Sequence, residues 1–272
     1  MGLKHTVFAS LNRDPLRPLL GLAASALATV EGDRGWVTYD ASSRSWKKRT
    51  RGGTALMQYP RGMSVERCAE VTDDVFLPHY KISAGDIVVD IGAGIGTETL
   101  PFSKMVGESG KVVAVEAHPA TFATLERLCL LNDVRNVELV HAAVMDSDHQ
   151  PVMISDLPPE LNYENRIGDG GIQVSSATLN GLVSKLKLDR IDFLKMNIEG
   201  AETAALRGAN DALDLVRNAA IGCHDFLADE TGDESYRTKD EVRALLTDAG
   251  FNVIPRDRDP RPWAADYLFA NR

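Results

Sequence analysis

Short apolar runs alternate with segments of helical length in this sequence from residue 65 onward. The runs are 87–89, 111–115, 137–141, 191–196, 219–223, 252–254 and 267–269. Strands separated by helices predict right-handed β–α–β units, and thus an α/β fold with a Rossmann-like, doubly wound, mostly parallel sheet. Because ligands of such sheets bind beyond the carboxyl ends of the strands, functional residues are expected there.

Residues 1–63 differ from the rest and are expected to form an N-terminal extension to a main domain spanning residues 64–272. The extension contains an apolar stretch at 16–30, a strand candidate at 36–39 and a basic run at 47–53. The apolar stretch is shorter than the roughly 20 residues needed to cross a bilayer. We interpret it as a helix in the core or at the interface of a homodimer. The basic run is interpreted as a solvated turn, with contact to phosphate as the alternative.

A second irregular segment, residues 145–178, interrupts the alternation. Two strand candidates, 150–155 and 172–176, flank a polar loop and predict a β-hairpin-like insertion. The loop at 158–171 contains two prolines and three glycines. Such a loop suits a lid over a bound molecule, or a surface loop without that role.

Composition narrows the classes of function. The formal net charge of the 272 residues is -9, which argues against a surface that coats nucleic acid. The three cysteines are far apart and have no C-x-x-C spacing, so a zinc site or a disulfide framework is not expected. We predict a cytoplasmic protein with neither a nucleic-acid nor a membrane partner.

A glycine-rich turn follows the apolar run at 87–89. Gly92, Gly94 and Gly96 remove side chains where the chain must turn and where a ligand can approach the backbone. The spacing D-x-G-x-G-x-G differs from the dinucleotide fingerprint G-x-G-x-x-G/A, because position 97 is threonine. The turn therefore predicts a nucleotide-type ligand, and its spacing favours a ligand other than a dinucleotide.

Two acids refine the identity of that ligand. Glu116 ends the next strand, where a carboxylate can accept hydrogen bonds from both hydroxyls of a ribose. Asp90 inside the turn would repel a pyrophosphate but suits the ammonium and sulfonium groups of S-adenosylmethionine; the alternative is a carboxylate that caps the helix. The predicted cofactor-binding residues are Asp90, Gly92, Ala93, Gly94, Gly96, Glu116, Ala117, His118 and Ala142.

The segment at 191–202, with the sequence I-D-F-L-K-M-N-I-E-G-A-E, is similar to the D-F-L-K-I-D-V-E-G-A-E signature of the FkbM-type methyltransferases. The resemblance spans roughly residues 70–225 and includes the segments 88–96, 113–119 and 136–144. It implies the class I methyltransferase fold and O-methylation of a small-molecule hydroxyl, often on a sugar or a polyketide-type metabolite. Asn197 and Asn180 stand where the family usually or often has Asp. Since hard cations prefer several anionic oxygens, we predict no metal site.

Methylation of a neutral hydroxyl needs alignment of the acceptor with the donor and a group that removes the proton. Glu199 and His224 follow adjacent predicted strands and are the candidate bases, and Asn197 is expected near the acceptor. The alternatives are a Glu199 that only stabilises the next helix and a His224 that is a core histidine. Lys195 is interpreted as a partner of Glu199 or as a buried structural charge.

The function predicted from the sequence is an S-adenosylmethionine-dependent O-methyltransferase for a small hydroxylated acceptor, in natural product biosynthesis. Two other classes remain open at this point: an NAD-dependent oxidoreductase, and a non-catalytic protein that binds S-adenosylmethionine with the same fold. An N-methyltransferase is a closer alternative.

Overall fold

The computed structural model describes residues 12, 14–157, 165–168 and 170–272. The strands, in chain order, are β1 (Trp36–Asp40), β2 (Ser45–Arg49), β3 (Thr54–Met57), β4 (Ile87–Ile91), β5 (Lys111–Glu116), β6 (Val137–His141), β7 (Ala143–Val144), β8 (Pro151–Ile154), β9 (Ile172–Ala177), β10 (Ile191–Met196), β11 (Val216–Gly222), β12 (Asn252–Pro255) and β13 (Tyr267–Asn271).

The helices are α1 (Arg17–Val30), α2 (Val65–Phe76), α3 (Thr99–Val106), α4 (Pro119–Leu131), α5 (Leu179–Leu186), α6 (Glu202–Arg207), α7 (Asn210–Leu213), α8 (Asp225–Thr231), α9 (Lys239–Asp248) and α10 (Pro262–Ala265), with a 3₁₀ helix at Glu234–Tyr236. Local chemistry sets several of their starts. The Ser64 hydroxyl accepts a hydrogen bond from the Arg67 N–H at the start of α2, and Thr178 does the same for Gly181 at the start of α5. None of the helices in the described part of the chain is long and apolar enough to cross a membrane.

The central sheet has seven strands in the order β12-β13-β11-β10-β4-β5-β6. All neighbouring pairs are parallel except those that involve β13, which runs antiparallel to β11 and β12. This confirms the predicted α/β fold with a mostly parallel sheet. The chain runs outward from β4 in one direction through β5 and β6, and returns to the other side of β4 through β10. Such a reversal opens a crevice at the carboxyl ends of β4 and β10.

Both faces of the central strands are buried, because helices cover both sides of the sheet. In β10, Phe193 packs into one apolar layer with Phe102, while Leu194 packs into the opposite layer. Burying a side chain of this size contributes about 1.5–3 kcal/mol. This core fixes the strand ends on which the candidate site is built.

The N-terminal region forms its own three-stranded antiparallel sheet, β1-β2-β3, against which α1 packs. The interpretation of the basic run as a solvated turn is wrong for residues 47–49, which lie in β2. Lys48 is buried because Asp33 lies 2.7 Å from its Nζ and the Gly62 carbonyl accepts a second hydrogen bond. A domain boundary near residue 63 stays a prediction, as does a homodimer through α1, whose Leu19 and Leu22 are exposed.

Two other elements differ from the sequence interpretation. The sequence of residues 201–215 predicts one helix opened by acidic residues, but the structure divides it at Gly208 into α6 and α7. The division follows from a tertiary contact, because the Asn180 side chain accepts a hydrogen bond from Ala212 N and Asn180 N donates to the Gly208 carbonyl. In the insertion, β8 and β9 pair antiparallel as expected of a hairpin, and β9 also pairs in parallel with β7. Of the predicted loop at 158–171, residues 158–164 and 169 lie outside the described residues.

Candidate active site

A cavity of about 290 Å³ lies at the carboxyl ends of β4, β5, β6 and β10, where the topology predicts a ligand. Eight of the twelve residues predicted for the site line this cavity: Gly92, Ala93, Gly94, Glu116, Ala117, Ala142, Asn197 and Glu199. The other four, Asp90, Gly96, His118 and His224, lie outside the lining and surround it.

Each of the three glycines of the turn is explained by a different feature of the structure. At Gly92, φ is +74° and a Cβ would lie 2.0 Å from the Asn197 carbonyl oxygen, so glycine lets the turn approach the end of β10. At Gly94, φ is +58° and a Cβ would meet no atom within 4 Å, since this position opens into the cavity. At Gly96, a Cβ would lie 2.3 Å from the Leu128 side chain of α4. Gly94 is therefore the position of the turn that leaves room for a ligand.

Asp90 and Lys195 form a buried ion pair beneath the turn. They are opposite each other in the register of β4 and β10, and Lys195 Nζ lies 3.0 Å from Asp90 Oδ1. Lys195 Nζ also donates to the Gly92 carbonyl at 2.7 Å, and the Thr99 hydroxyl donates to Asp90 Oδ2 at 2.6 Å. Burial lowers the pKa of Lys195, but the nearby Asp90 and Glu98 raise it, with a net increase. The partner of Lys195 is therefore Asp90 and not Glu199.

Glu116 lies where an adenosine ribose is expected, with its carboxylate held in place by the backbone. Gly94 N donates to one of its oxygens at 2.9 Å and His118 N donates to the other at 2.8 Å. Burial raises its pKa and outweighs these two N–H donors. Each oxygen retains capacity to accept another hydrogen bond. The His118 ring points away to Asp156, 3.3 Å from Nε2.

Glu199, His224 and Glu202 form a second charged cluster, at the ends of β10 and β11. His224 Nε2 lies 3.3 Å from Glu199 Oε1, and His224 Nδ1 lies 3.0 Å from Glu202 Oε1. Glu202 is fully buried and also accepts hydrogen bonds from Gly200 N and the Thr238 hydroxyl. Glu199 lines the cavity, with φ of +52°, an uncommon conformation for a residue other than glycine.

The charge state of His224 does not suit the role of a base that the sequence offered for it. Burial lowers its pKa, but the charges of Glu202 and Glu199 outweigh burial and raise it to about 10. Burial alone would raise the pKa of Glu202, yet the adjacent imidazolium lowers it. His224 is therefore an imidazolium at neutral pH and has no lone pair with which to accept a proton. Of the two candidate bases, the geometry favours Glu199.

Asn197 joins the cavity to the antiparallel strand β13. Its side-chain oxygen accepts a hydrogen bond from the Tyr267 hydroxyl at 2.9 Å, and its N–H donates to the Ile91 carbonyl. A Cβ at Gly222 would lie 2.4 Å from that side-chain oxygen, so the end of β11 packs closely against it. Among the described residues, no three His, Cys, Asp or Glu side chains cluster in a way that could hold a metal ion. The role of a metal stays a matter of prediction.

Two charged residues that line the cavity, Glu98 and Arg166, were not predicted from the sequence. Glu98 follows the glycine turn, where a sequence alone does not distinguish a cavity-facing carboxylate from an exposed one. Arg166 comes from the insertion; its Nη1 lies 2.9 Å from Asp233 Oδ2, and its guanidinium lies over the Tyr236 ring. These contacts join segments about 70 residues apart, a separation that carries no local signal.

Comparison with known proteins identifies the family of this chain. Residues 90–253, more than half of the chain, match the model of the methyltransferase FkbM domain. Methyltransferase sdnD of Sordaria araneosa is 28% identical over 231 residues, covering 71% of this chain and 84% of the relative. Methyltransferase 1 of Beauveria bassiana is 27% identical over 199 residues, covering 64% and 76%.

Among solved structures, the FkbM methyltransferase from Methylobacillus flagellatus KT aligns with a TM-score of 0.47 and 17% identity. The alignment covers 72% of this chain and 45% of that chain, so this protein spans less than half of its length. The sheet order and the cavity at the switch point are those expected of the class I methyltransferase fold. The chain belongs to the FkbM family, whose methyl donor is S-adenosylmethionine. The alternative of a nicotinamide-dependent oxidoreductase is thereby set aside.

Proposed function

We propose that the protein is an O-methyltransferase that acts on a hydroxyl group of a small molecule, such as a sugar or a polyketide-type product. One observation carries the proposal. The Glu199 carboxylate lines the cavity, and it belongs to a cluster with two carboxylates for one imidazolium. The excess negative charge lies at the cavity, where the hydroxyl of the methyl acceptor would have to lose its proton.

The residues of the turn fit the donor. The open space at Gly94 accommodates a ligand against the backbone, and the Glu116 carboxylate suits the two ribose hydroxyls. Ala142, at the end of β6, contributes an apolar wall for the adenine. When bound, S-adenosylmethionine supplies an electrophilic methyl group on a sulfonium and leaves as the neutral thioether. Asp90 supports this site indirectly, since it holds Lys195 against the Gly92 carbonyl.

Charge balance favours Glu199 as the proton acceptor. Before the reaction, the cluster places two carboxylates, Glu199 and Glu202, beside the single imidazolium of His224. The acceptor oxygen forms its new bond to carbon with a lone pair, and the hydroxyl proton passes to Glu199. Protonated Glu199 then leaves His224 and Glu202 as a balanced ion pair. His224 and Glu202 are thus positioning residues, which orient Glu199 without contacting the acceptor.

The nature of the methylated atom is tested with paired acceptors. The protein is incubated with S-adenosylmethionine carrying a labelled methyl group and a panel of sugars and polyphenols, each beside its amine analogue. We expect label transfer to the hydroxyl compounds and a carbon shift of the product typical of a methoxy group by NMR. Transfer confined to the amines would contradict the O-methyltransferase proposal. Binding of S-adenosylhomocysteine without transfer to any member of the panel would favour a non-catalytic protein.

A further inference from the structure

Glu98 is a carboxylate at the cavity wall that neither the fold nor the proposed acceptor chemistry uses. It directly precedes α3, yet its side chain makes no capping hydrogen bond. Within the described part of the chain, its carboxylate receives no hydrogen bond from another side chain and lies in no ion pair within 4.0 Å. Its accessible surface opens into the cavity. A carboxylate in this position is open to a cationic group of a bound molecule.

Asp90, the sequence candidate for that cation, already has Lys195 as its counter-ion, although Oδ1 accepts no hydrogen bond. Its two oxygens are occupied by Lys195 Nζ at 3.0 Å and by the Thr99 hydroxyl at 2.6 Å. Asp90 and Lys195 are at most 1% exposed, and Asp90 does not line the cavity. An ammonium group placed in the cavity would therefore meet Glu98, two residues beyond the glycine turn, before it could reach Asp90.

We propose that Glu98 is the residue that binds the α-ammonium group of the methyl donor. The methionine part of the donor carries an ammonium group, and among the described residues the Glu98 carboxylate at the cavity wall has no hydrogen-bond partner beyond its own backbone N–H. A charge-assisted hydrogen bond between the two would fix that end of the donor relative to Gly94. This role concerns the donor alone and is independent of which atom of the acceptor is methylated.

The titration of Glu98 supports this role and makes it measurable. Burial raises the pKa of Glu98 to about 7, against the opposing influence of Lys195 and with a further increase from Asp90. The other titratable groups that face Glu98 are Tyr267 on β13 and Cys68 on α2, and both are neutral at this pH because burial raises their pKa. An ammonium group that binds Glu98 favours its ionised form, so donor binding near neutral pH must release a proton.

Calorimetric titration with S-adenosylhomocysteine near pH 7, in buffers of different ionisation enthalpy, counts that proton. About half of the Glu98 side chains are protonated before binding, so we expect wild-type protein to release roughly half a proton per site. Glu98→Gln should abolish the release and weaken S-adenosylhomocysteine binding roughly 10- to 100-fold. Its affinity for 5′-methylthioadenosine, which lacks the amino-acid part, should be unchanged.

Glu116→Gln is the matched control, because the ribose that Glu116 is proposed to bind is present in both ligands. It should weaken both by similar factors. The proposal is overturned if Glu98→Gln binds S-adenosylhomocysteine as tightly as the wild type, if it weakens both ligands equally, or if its proton release matches that of the wild type. Should Glu98→Gln fold poorly, the wild-type proton count measured from pH 5 to pH 8 decides, since binding without release throughout that range contradicts the proposal. Neither measurement depends on methyl transfer.

Discussion

Two buried charged clusters lie side by side beneath the cavity and differ in their balance of charge. The donor-side cluster, Asp90 and Lys195, has one negative and one positive charge. The Thr99 hydroxyl donates a hydrogen bond to Asp90, and Lys195 donates one to the Gly92 carbonyl. The acceptor-side cluster, His224 between Glu199 and Glu202, has two negative charges for one positive charge. In the balanced cluster the Asp90 carboxylate does not line the cavity and only Lys195 borders it, whereas the unbalanced cluster presents the Glu199 carboxylate to the cavity.

This difference in charge balance gives the two clusters different roles, one in supporting the structure and one in the chemistry. A balanced pair of buried charges needs no further counter-ion, and its Lys195 holds the Gly92 turn against β10. A cluster with excess negative charge can receive a proton and become balanced. The comparison predicts that variants of the donor-side cluster change stability first, and that variants of the acceptor-side cluster change the chemistry and its pH dependence.

The largest effect is expected from Lys195→Met. The variant leaves the Asp90 charge buried without a partner and removes a donor from the Gly92 carbonyl. Breaking a buried pair in this way costs about 3–5 kcal/mol, which urea unfolding would measure as a lower free energy of unfolding. A loss below about 1 kcal/mol would mean that the pair does not support the turn.

The double variant Asp90→Asn with Lys195→Met is the control for this experiment. It removes both charges, so no unpaired charge stays buried, and we expect it to recover more than half of the stability lost by Lys195→Met. A double variant as unstable as the single one would show that the loss comes from packing rather than from the unpaired carboxylate. If the single variant does not fold, the free energy of unfolding of the double variant is still expected to be measurable.

His224→Gln should flatten the pH dependence of stability on the alkaline side. The pKa of His224 is about 10 in the folded protein and about 6.5 when unfolded. Its contribution is fully present below the unfolded pKa and is lost as the pH rises through the folded pKa. Between pH 7 and pH 9, we expect wild-type stability to fall by roughly 2 kcal/mol more than that of His224→Gln. Parallel curves for the two proteins would contradict the imidazolium assignment.

Gly94→Ala should have the smallest effect on stability. Its backbone lies at φ of +58° with free space around it, so alanine costs about 1–2 kcal/mol through backbone strain alone. The added methyl group enters the cavity and should weaken S-adenosylhomocysteine binding, measured by calorimetry. Gly92→Ala is the contrasting variant, because its Cβ would collide with the Asn197 carbonyl and lower stability much more. Equal stability losses for Gly94→Ala and Gly92→Ala would contradict the distinction between an open position and a closely packed one.

Much of the fold was predictable because its signals are local. The apolar runs marked every strand of the central sheet, and the D-x-G-x-G-x-G spacing with Glu116 marked the donor side. The departures depend on tertiary contacts. Residues 47–49 form a strand because Asp33 neutralises Lys48, and the helix at 201–215 divides because Asn180 holds its second part.

Tertiary contacts likewise decide the features of the site that the sequence could not predict. Whether Lys195 meets Asp90 or Glu199 is decided by the register between β10 and β4, which the sequence does not contain. The charge of His224 depends on Glu202, whose side chain turns back toward β11 from the first residue of α6. Periodicity and spacing therefore located the strand ends, while the pairing of charges at those ends required the three-dimensional structure.

The most direct test of the separate roles proposed for the two clusters is the effect of Glu199→Gln on methyl transfer. It is measured with the best acceptor of the hydroxyl panel. The substitution keeps the size of the side chain and removes the proton acceptor. We expect kcat to fall by roughly 10²- to 10⁴-fold, while the affinity for S-adenosylhomocysteine stays within about threefold of the wild type. An unchanged kcat, or a loss of activity that only follows a loss of donor affinity, would contradict the assignment of the base to Glu199.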